Sequence, residues 1–246
     1  GPLAYLNEKE VQLAMATSKA TGTAIGDILD DTGWPSGDRT LDTGQTTMDR
    51  FWVDRQKTIA ALRLVEETEG GFIYEGKDGK IVFQYRHARL KSPHTTSQAT
   101  FSDASGAARS YMAMPQLDPF AYIFNEFEAT IQTYSVAGLA TLWTLSESGS
   151  SSPKLAPGES RDFWAVHPTP DSATNVIAVD AWTTPAENTD YEANSASDGN
   201  GTDHSADLTV TVSKFSESMK ISITNGAAVA VFITLLQARG TPVTRD

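Results

Sequence analysis

The chain has 246 residues, a net charge of −12 and no cysteine. That length accommodates one large or two ordinary domains. The acidic balance argues against nucleic acid and anionic membrane as partners, and the missing thiol excludes disulfide scaffolds, cysteine nucleophiles and thiolate zinc sites.

Apolar residues make up 39% of the chain and charged residues 20%, the balance of a folded protein rich in turns and strands. The longest apolar run, AAVAVFITLL (227–236), is too short to span a bilayer as a helix and reads as a strand. The opening Gly-Pro-Leu lacks an initiating methionine and looks like a protease-cleavage scar, which implies a chain cut from a longer protein.

Residues 5–22 form a mixed segment. In TAIGDILDDTGWP (23–35), Ile25, Ile28 and Leu29 have helical spacing, and Gly33 with Pro35 gives a stop signal. A polar, turn-rich connection follows over 36–48. The spacing of Ile59, Leu62 and Val65, widened by Ala61 and Leu64, predicts a second helix over 54–69, with Asp54 as N-cap and Gly70 as C-cap. Glu66, Glu67 and Glu69 crowd its C-terminal end, where the helix dipole disfavours carboxylates, so a cation is expected there.

Next comes GGFIYEGKDGKIVFQYRHARL (70–90). Phe72–Tyr74 and the alternating Ile81, Phe83 and Tyr85 flank a Gly-Lys-Asp-Gly turn, a β-hairpin pattern. The glycines follow a helix rather than precede one, so they do not form a phosphate loop. The basic cluster Arg86, His87, Arg89 and Lys91 reads as a solvated strand end or intrachain pairing; Arg86 or Arg89 is expected to offset the helix-end carboxylates.

Residues 91–118 read as a polar linker or extended arm. From about 120, apolar runs alternate with Gly, Pro, Asn and Ser clusters, as in RDFWAVH, NVIAVDAW, DLTVTVS and MKISITN. Such spacing predicts an antiparallel β-sandwich or barrel. The expected architecture is α+β and mostly β: a helix-and-hairpin domain over 1–90, a linker over 91–118 and a β-domain over 119–246.

Catalytic patterns are weak. His87, His94, His167 and His204 show no metal-ligand spacing, and the nucleophile-elbow, Walker and dinucleotide motifs are absent. The best metal-like string is SDGNGTDHSAD (197–207), where Asp198, Asn200 and Asp203 could offer oxygens to calcium. It lacks the remaining EF-hand ligands and reads better as a flexible loop. Trp143, Trp164 and Trp182 could form a sugar-stacking platform, but each lies in an apolar strand run and is expected in the core.

Four pieces in order carry a resemblance: DILDDTGWP (27–35), RTLDTG (39–44), ALRLVEETEGG (61–71) and IYEGKDGKIVFQYRHAR (73–89). Together they resemble tail-tip or baseplate-hub proteins of tailed bacteriophages. In that pattern a helix ends in an acid–Gly pair (Glu69, Gly70, Gly71), a hairpin turns at Asp78–Gly79, and a strand ends F-x-x-R-x-x-R (Phe83, Arg86, Arg89). YMAMPQL (111–117) and YIFNEFEATI (122–131), with its central Asn125, continue the order. LAPGES (155–160), DYEANSASDGNGTD (190–203) and ISITNGAAVAVFITLLQARGTPV (221–243) resemble tail-protein segments in the second half. The resemblance implies a structural subunit of a virion tail, passing through the host cytoplasm during assembly. It implies self-association and binding to other tail proteins, no cofactor and no catalytic residue. A carbohydrate-binding or host-adhesion module is the alternative reading, and a tail-associated cell-wall hydrolase the third.

Overall fold

The computed structural model describes residues 1–97, 99–102, 109, 128, 133–167 and 176–245. Among them are three α-helices and fourteen strands, and the fold is α+β and mostly β. In chain order the first part contains α1 (Pro2–Glu8), β1 (Glu10–Ala20), α2 (Thr21–Asp31), β2 (Arg39–Leu41), β3 (Thr47–Lys57), α3 (Thr58–Glu69), β4 (Phe72–Glu75) and β5 (Ile81–Gln84). The second contains β6 (Tyr134–Val136), β7 (Ala140–Thr144), β8 (Lys154–Leu155), β9 (Ser160–Val166), β10 (Val176–Trp182), β11 (Tyr191–Asn194), β12 (Leu208–Lys214), β13 (Ser218–Asn225) and β14 (Val231–Arg245).

Each part has its own apolar cluster. In the first, Ile25, Ile28 and Leu29 of α2 meet Leu62 and Val65 of α3, with Phe51, Val53, Ile73, Ile81 and Phe83 from the strands. Burying each such side chain is worth about 1.5–3 kcal/mol. The hairpin forms as its pattern predicts, β4 pairing with β5 from Phe72↔Gln84 to Glu75↔Ile81. The turn closes with Gly79 in the left-handed region at φ 78°. The segment Arg39–Leu41 joins it in parallel along β5, so RTL is a strand rather than part of a connection.

Three expectations fail here. The mixed segment is largely β1, an 11-residue strand pairing antiparallel with β3. The second helix begins at Thr58, not near residue 54, and its N-cap position is Lys57. Phe51 and Val53 are buried on alternate positions of β3, and this period of two extends the strand into the range assigned to helix. Asp54 is a strand residue. Leu64 belongs to the helix but faces outward, 57% exposed, because the buried face of α3 runs through Thr58, Ala61, Leu62, Val65 and Glu69.

In the second part β14 is the spine, pairing with β6, β7, β8, β10 and β11 along its length. Val243 and Thr244 pair with β6 and β10 at once, so those strands occupy opposite edges. A second sheet has the order β12-β13-β9. Phe163, Ala165, Met219, Ile221 and Ile223 from it interlock with Val179, Trp182, Val231, Ile233, Leu236 and Ala238. Two sheets around one core make this a sandwich. Along β14 burial alternates over Val231 and Ile233 and then shifts phase to Leu236 and Ala238. A register irregularity against Glu192/Ala193 accounts for the shift. The linker assigned to 91–118 and the segments 111–117 and 122–131, Asn125 included, lie largely or wholly outside the described residues.

Candidate functional site

Three of the four pieces that carry the resemblance reach Glu69, where they meet Thr21, Gln45 and Thr46 from outside those pieces. Helix α3 ends there, with Gly70 as a left-handed C-cap at φ 64°, and the carboxylate turns inward, its side chain 0% exposed. Oε2 accepts hydrogen bonds from the Thr21 hydroxyl (2.8 Å) and the backbone amides of Gln45 (3.0 Å) and Thr46 (2.9 Å). Oε1 accepts the Arg86 Nε–H at 3.2 Å. The Arg86 guanidinium also bonds the Thr46 hydroxyl. Four chain segments meet at one carboxylate: the start of α2, the loop before β3, the end of α3 and the strand exit after β5.

The backbone is shaped around this knot. Gly44 has φ 88°, and a Cβ there would lie 1.9 Å from the Thr21 hydroxyl oxygen. A Cβ on Gly71 would lie 2.5 Å from the Gln84 carbonyl oxygen. Any larger residue at either place would push the loop or hairpin off the helix end.

Burial by itself opposes ionisation of Glu69, but the amides of Thr46 and Gln45, the Thr21 hydroxyl and Arg86 outweigh it and lower its pKa to about 2. Such a group stays anionic at every ordinary pH, with its acceptor positions taken. It serves as a rivet rather than a proton donor or acceptor. The neighbouring Glu66 accepts the Ile73 amide at 2.6 Å and pairs with Arg63. The helix-end carboxylates are thus offset mainly by backbone N–H groups, with Arg86 as the expected cation. Arg89 instead stacks over the Phe72 ring at 3.6 Å, and Lys91 lies over Tyr85 at 4.8 Å. The basic cluster is intrachain pairing. Phe83 is buried in the core, and Asp78 Oδ1 accepts the Lys80 amide within the exposed turn.

The sandwich has a corresponding knot that sequence reading missed. Asp190 is buried, and Arg239 of β14 grips it through Nε (2.5 Å) and Nη2 (2.9 Å). The Ala186 amide and the Gln237 side chain complete its shell. Burial raises the Asp190 pKa, and Arg239 with Ala186 brings it below the usual carboxylate range. The available signal was QAR, two polar side chains breaking an otherwise apolar strand. Buried Asn225 likewise ties three carbonyls, of Leu155, Ala156 and Val229.

The metal-like loop is closed on itself. Asp198 accepts from the backbone and side-chain N–H groups of Asn200, and Asp203 accepts from the Ser205 amide and hydroxyl. Among the described residues no group of three or more His, Cys, Asp or Glu side chains is arranged to hold a metal. The tryptophans diverge. Trp182 is core and donates to the Phe215 carbonyl at 2.7 Å, Trp143 packs at the edge of the core, and Trp164 is 44% exposed.

The two parts touch along β3. Arg50 reaches Asp180 of β10 at 3.3 Å, and Trp52 meets Tyr134 of β6 edge to face, centroids 6.3 Å apart. A bulge in β3, with Arg55 at φ 41°, adjoins Asp54, which faces Glu217 in the β12–β13 turn. Burial, and then the Asp54 carboxylate, push the Glu217 pKa up to about 7. Compared with known protein families, curated proteins and solved structures, the chain matches none.

Proposed function

We propose that this protein is a structural component of a bacteriophage or prophage tail hub or tip, assembling through contacts with copies of itself and with other tail proteins. The observation that carries the reading is the Glu69 knot. Three of the four resembling pieces meet in space, through Gly44, through Glu69 with Gly70, and through Arg86, and they meet to hold backbone segments together. Their chemistry is fastening: a saturated carboxylate, a C-cap glycine, a guanidinium and a stacked arginine.

Open strand edges supply the means of assembly. Among the described residues, β1 and β3 pair only with each other, and β9 and β12 are sheet edges. Long unpaired edges are templates for another chain and are usually blocked or used. The ribbon of 11-residue strands is long enough to pair across a subunit boundary. Repetition of such a contact around an axis closes a ring.

The test is the assembly state. Light scattering coupled to size exclusion, followed by negative-stain electron microscopy at rising protein concentration, is expected to show closed rings or tip-like particles. A protein that stays monomeric at the highest concentrations, alone and with tail-tube proteins, would overturn the reading.

A further inference from the structure

The outer face of the β12-β13-β9 sheet carries a feature that neither core nor knot uses. On this face the outward positions of β12 are Thr209, Thr211 and Ser213, all exposed. Those of β13 include Lys220, Ser222 and Thr224, and those of β9 are Ser160, Asp162, Trp164 and Val166. Against this hydroxyl-rich background Trp164 stands out, an indole 44% exposed with exposed Val166 beside it on the same strand face. Trp164 and Val166 together make an apolar patch at one end of an otherwise polar sheet face.

Phe215 covers part of the indole, the rings being nearly parallel at 17° with centroids 6.1 Å apart. The ring is therefore backed and held while the rest of its surface stays open. Lys220 lies directly across from Trp164, and Ser222 across from Asp162. Lys220 Nζ bonds Asp162 at 2.7 Å, and the Ser222 hydroxyl bonds the same carboxylate at 2.6 Å. This polar cluster lies one two-residue step along the strand from the indole, roughly 6–7 Å, about the width of one sugar ring. Its charges cancel locally on a protein of net charge −12. A face that is flat and aromatic at one end, hydroxyl-lined and locally neutral at the other, complements a ligand with an apolar C–H face and uncharged hydroxyl edges.

We infer that this sheet face, centred on Trp164 with Asp162, Lys220 and Ser222 at its side, is a binding platform for uncharged saccharide chains. A pyranose ring stacks its C–H face on the indole, and its hydroxyls exchange hydrogen bonds with the Asp162–Lys220–Ser222 cluster. The site is independent of ring assembly: rings can form without saccharide binding, and binding can occur on a monomer.

The test uses the whole chain against an array of neutral hexose and N-acetylhexosamine oligosaccharides, with hits titrated by tryptophan fluorescence and calorimetry. Saturable binding is expected, weakened at least tenfold in Trp164→Ala and several-fold in Ser222→Ala, with Trp164→Tyr keeping part of it. Circular dichroism and the melting temperature report that the variants stay folded. No saturable binding to any array member at millimolar concentration would overturn the inference. So would binding unchanged in folded Trp164→Ala, or a Trp164→Ala effect on oligomeric state alone, which would make the face a subunit contact.

Discussion

Among the described residues each part fully buries one carboxylate, Glu69 in the first and Asp190 in the second, and they satisfy it differently. Glu69 is held largely by backbone amides of a loop far away in sequence, with Arg86 from the side. Asp190 is held chiefly by one flexible side chain, Arg239, on the spine strand. An amide in a packed loop cannot turn to water when its acceptor disappears. A guanidinium 25% exposed can. The first knot therefore ties the ends of four segments at one point beside their shared apolar core, while the second trims a sandwich already secured by its interlocked sheets.

The comparison can be broken most directly at the carboxylates. Glu69→Ala is expected to cost the most, about 3 kcal/mol, because it leaves the buried Thr21 hydroxyl and two loop amides without their acceptor at once. Asp190→Ala is expected to cost less, about 2 kcal/mol, since Arg239 regains solvent. Urea unfolding of both variants decides the order, and a larger loss at Asp190 would reverse the argument.

The pH profile separates the parts next. Glu69 has a folded pKa of about 2 against an ordinary 4.5. Its contribution is complete above 4.5 and lost as pH falls toward 2. Glu217 goes the other way. Its folded pKa of about 7 lies above 4.5, so its contribution is complete below 4.5 and lost as pH rises through 7. The melting temperature should fall in two windows, below pH 4.5 toward 2 through the first part and from pH 4.5 up to about 7 through the junction. Glu217→Gln should remove the decline between pH 4.5 and 7 and leave the one below 4.5, which thermal scans from pH 2 to 9 would show.

The two arginines sharpen the picture at smaller scale. Arg86 is 41% exposed, so Arg86→Ala should cost only about 1 kcal/mol after solvent screening. Arg89→Ala should cost about 0.5–1 kcal/mol through lost stacking on Phe72. The double variant should approach their sum in chemical denaturation, because the two side chains have separate partners. Of similar size, Trp164→Ala should shift stability by no more than about 1 kcal/mol, the worth of its stack on Phe215.

Local patterns were legible where one short-range force decides. The hairpin over 72–84 follows from alternation and a glycine turn, the end of α3 from Gly70, and the strands of the sandwich from their apolar runs. The start of α3 was not legible, because FWVDRQK satisfies a strand period as well as a helical one, and pairing with β1 settles the choice. Nor was the exposure of Trp164: its run reads as core, yet only the phase of β9 against β13 determines which alternate residue faces out.

The sequence by itself determined an acidic, cysteine-free, mostly β chain, with a helix ending in carboxylates and arginines waiting after the next strand. The tertiary structure decided which carboxylate is buried, that backbone amides do most of the neutralising, and that Asp54 meets Glu217 across the junction. Propensity and alternation act over a few residues and can be read from neighbours in the chain. A buried charge is decided by groups 17 to 48 positions away, which only the folded chain brings within hydrogen-bonding distance.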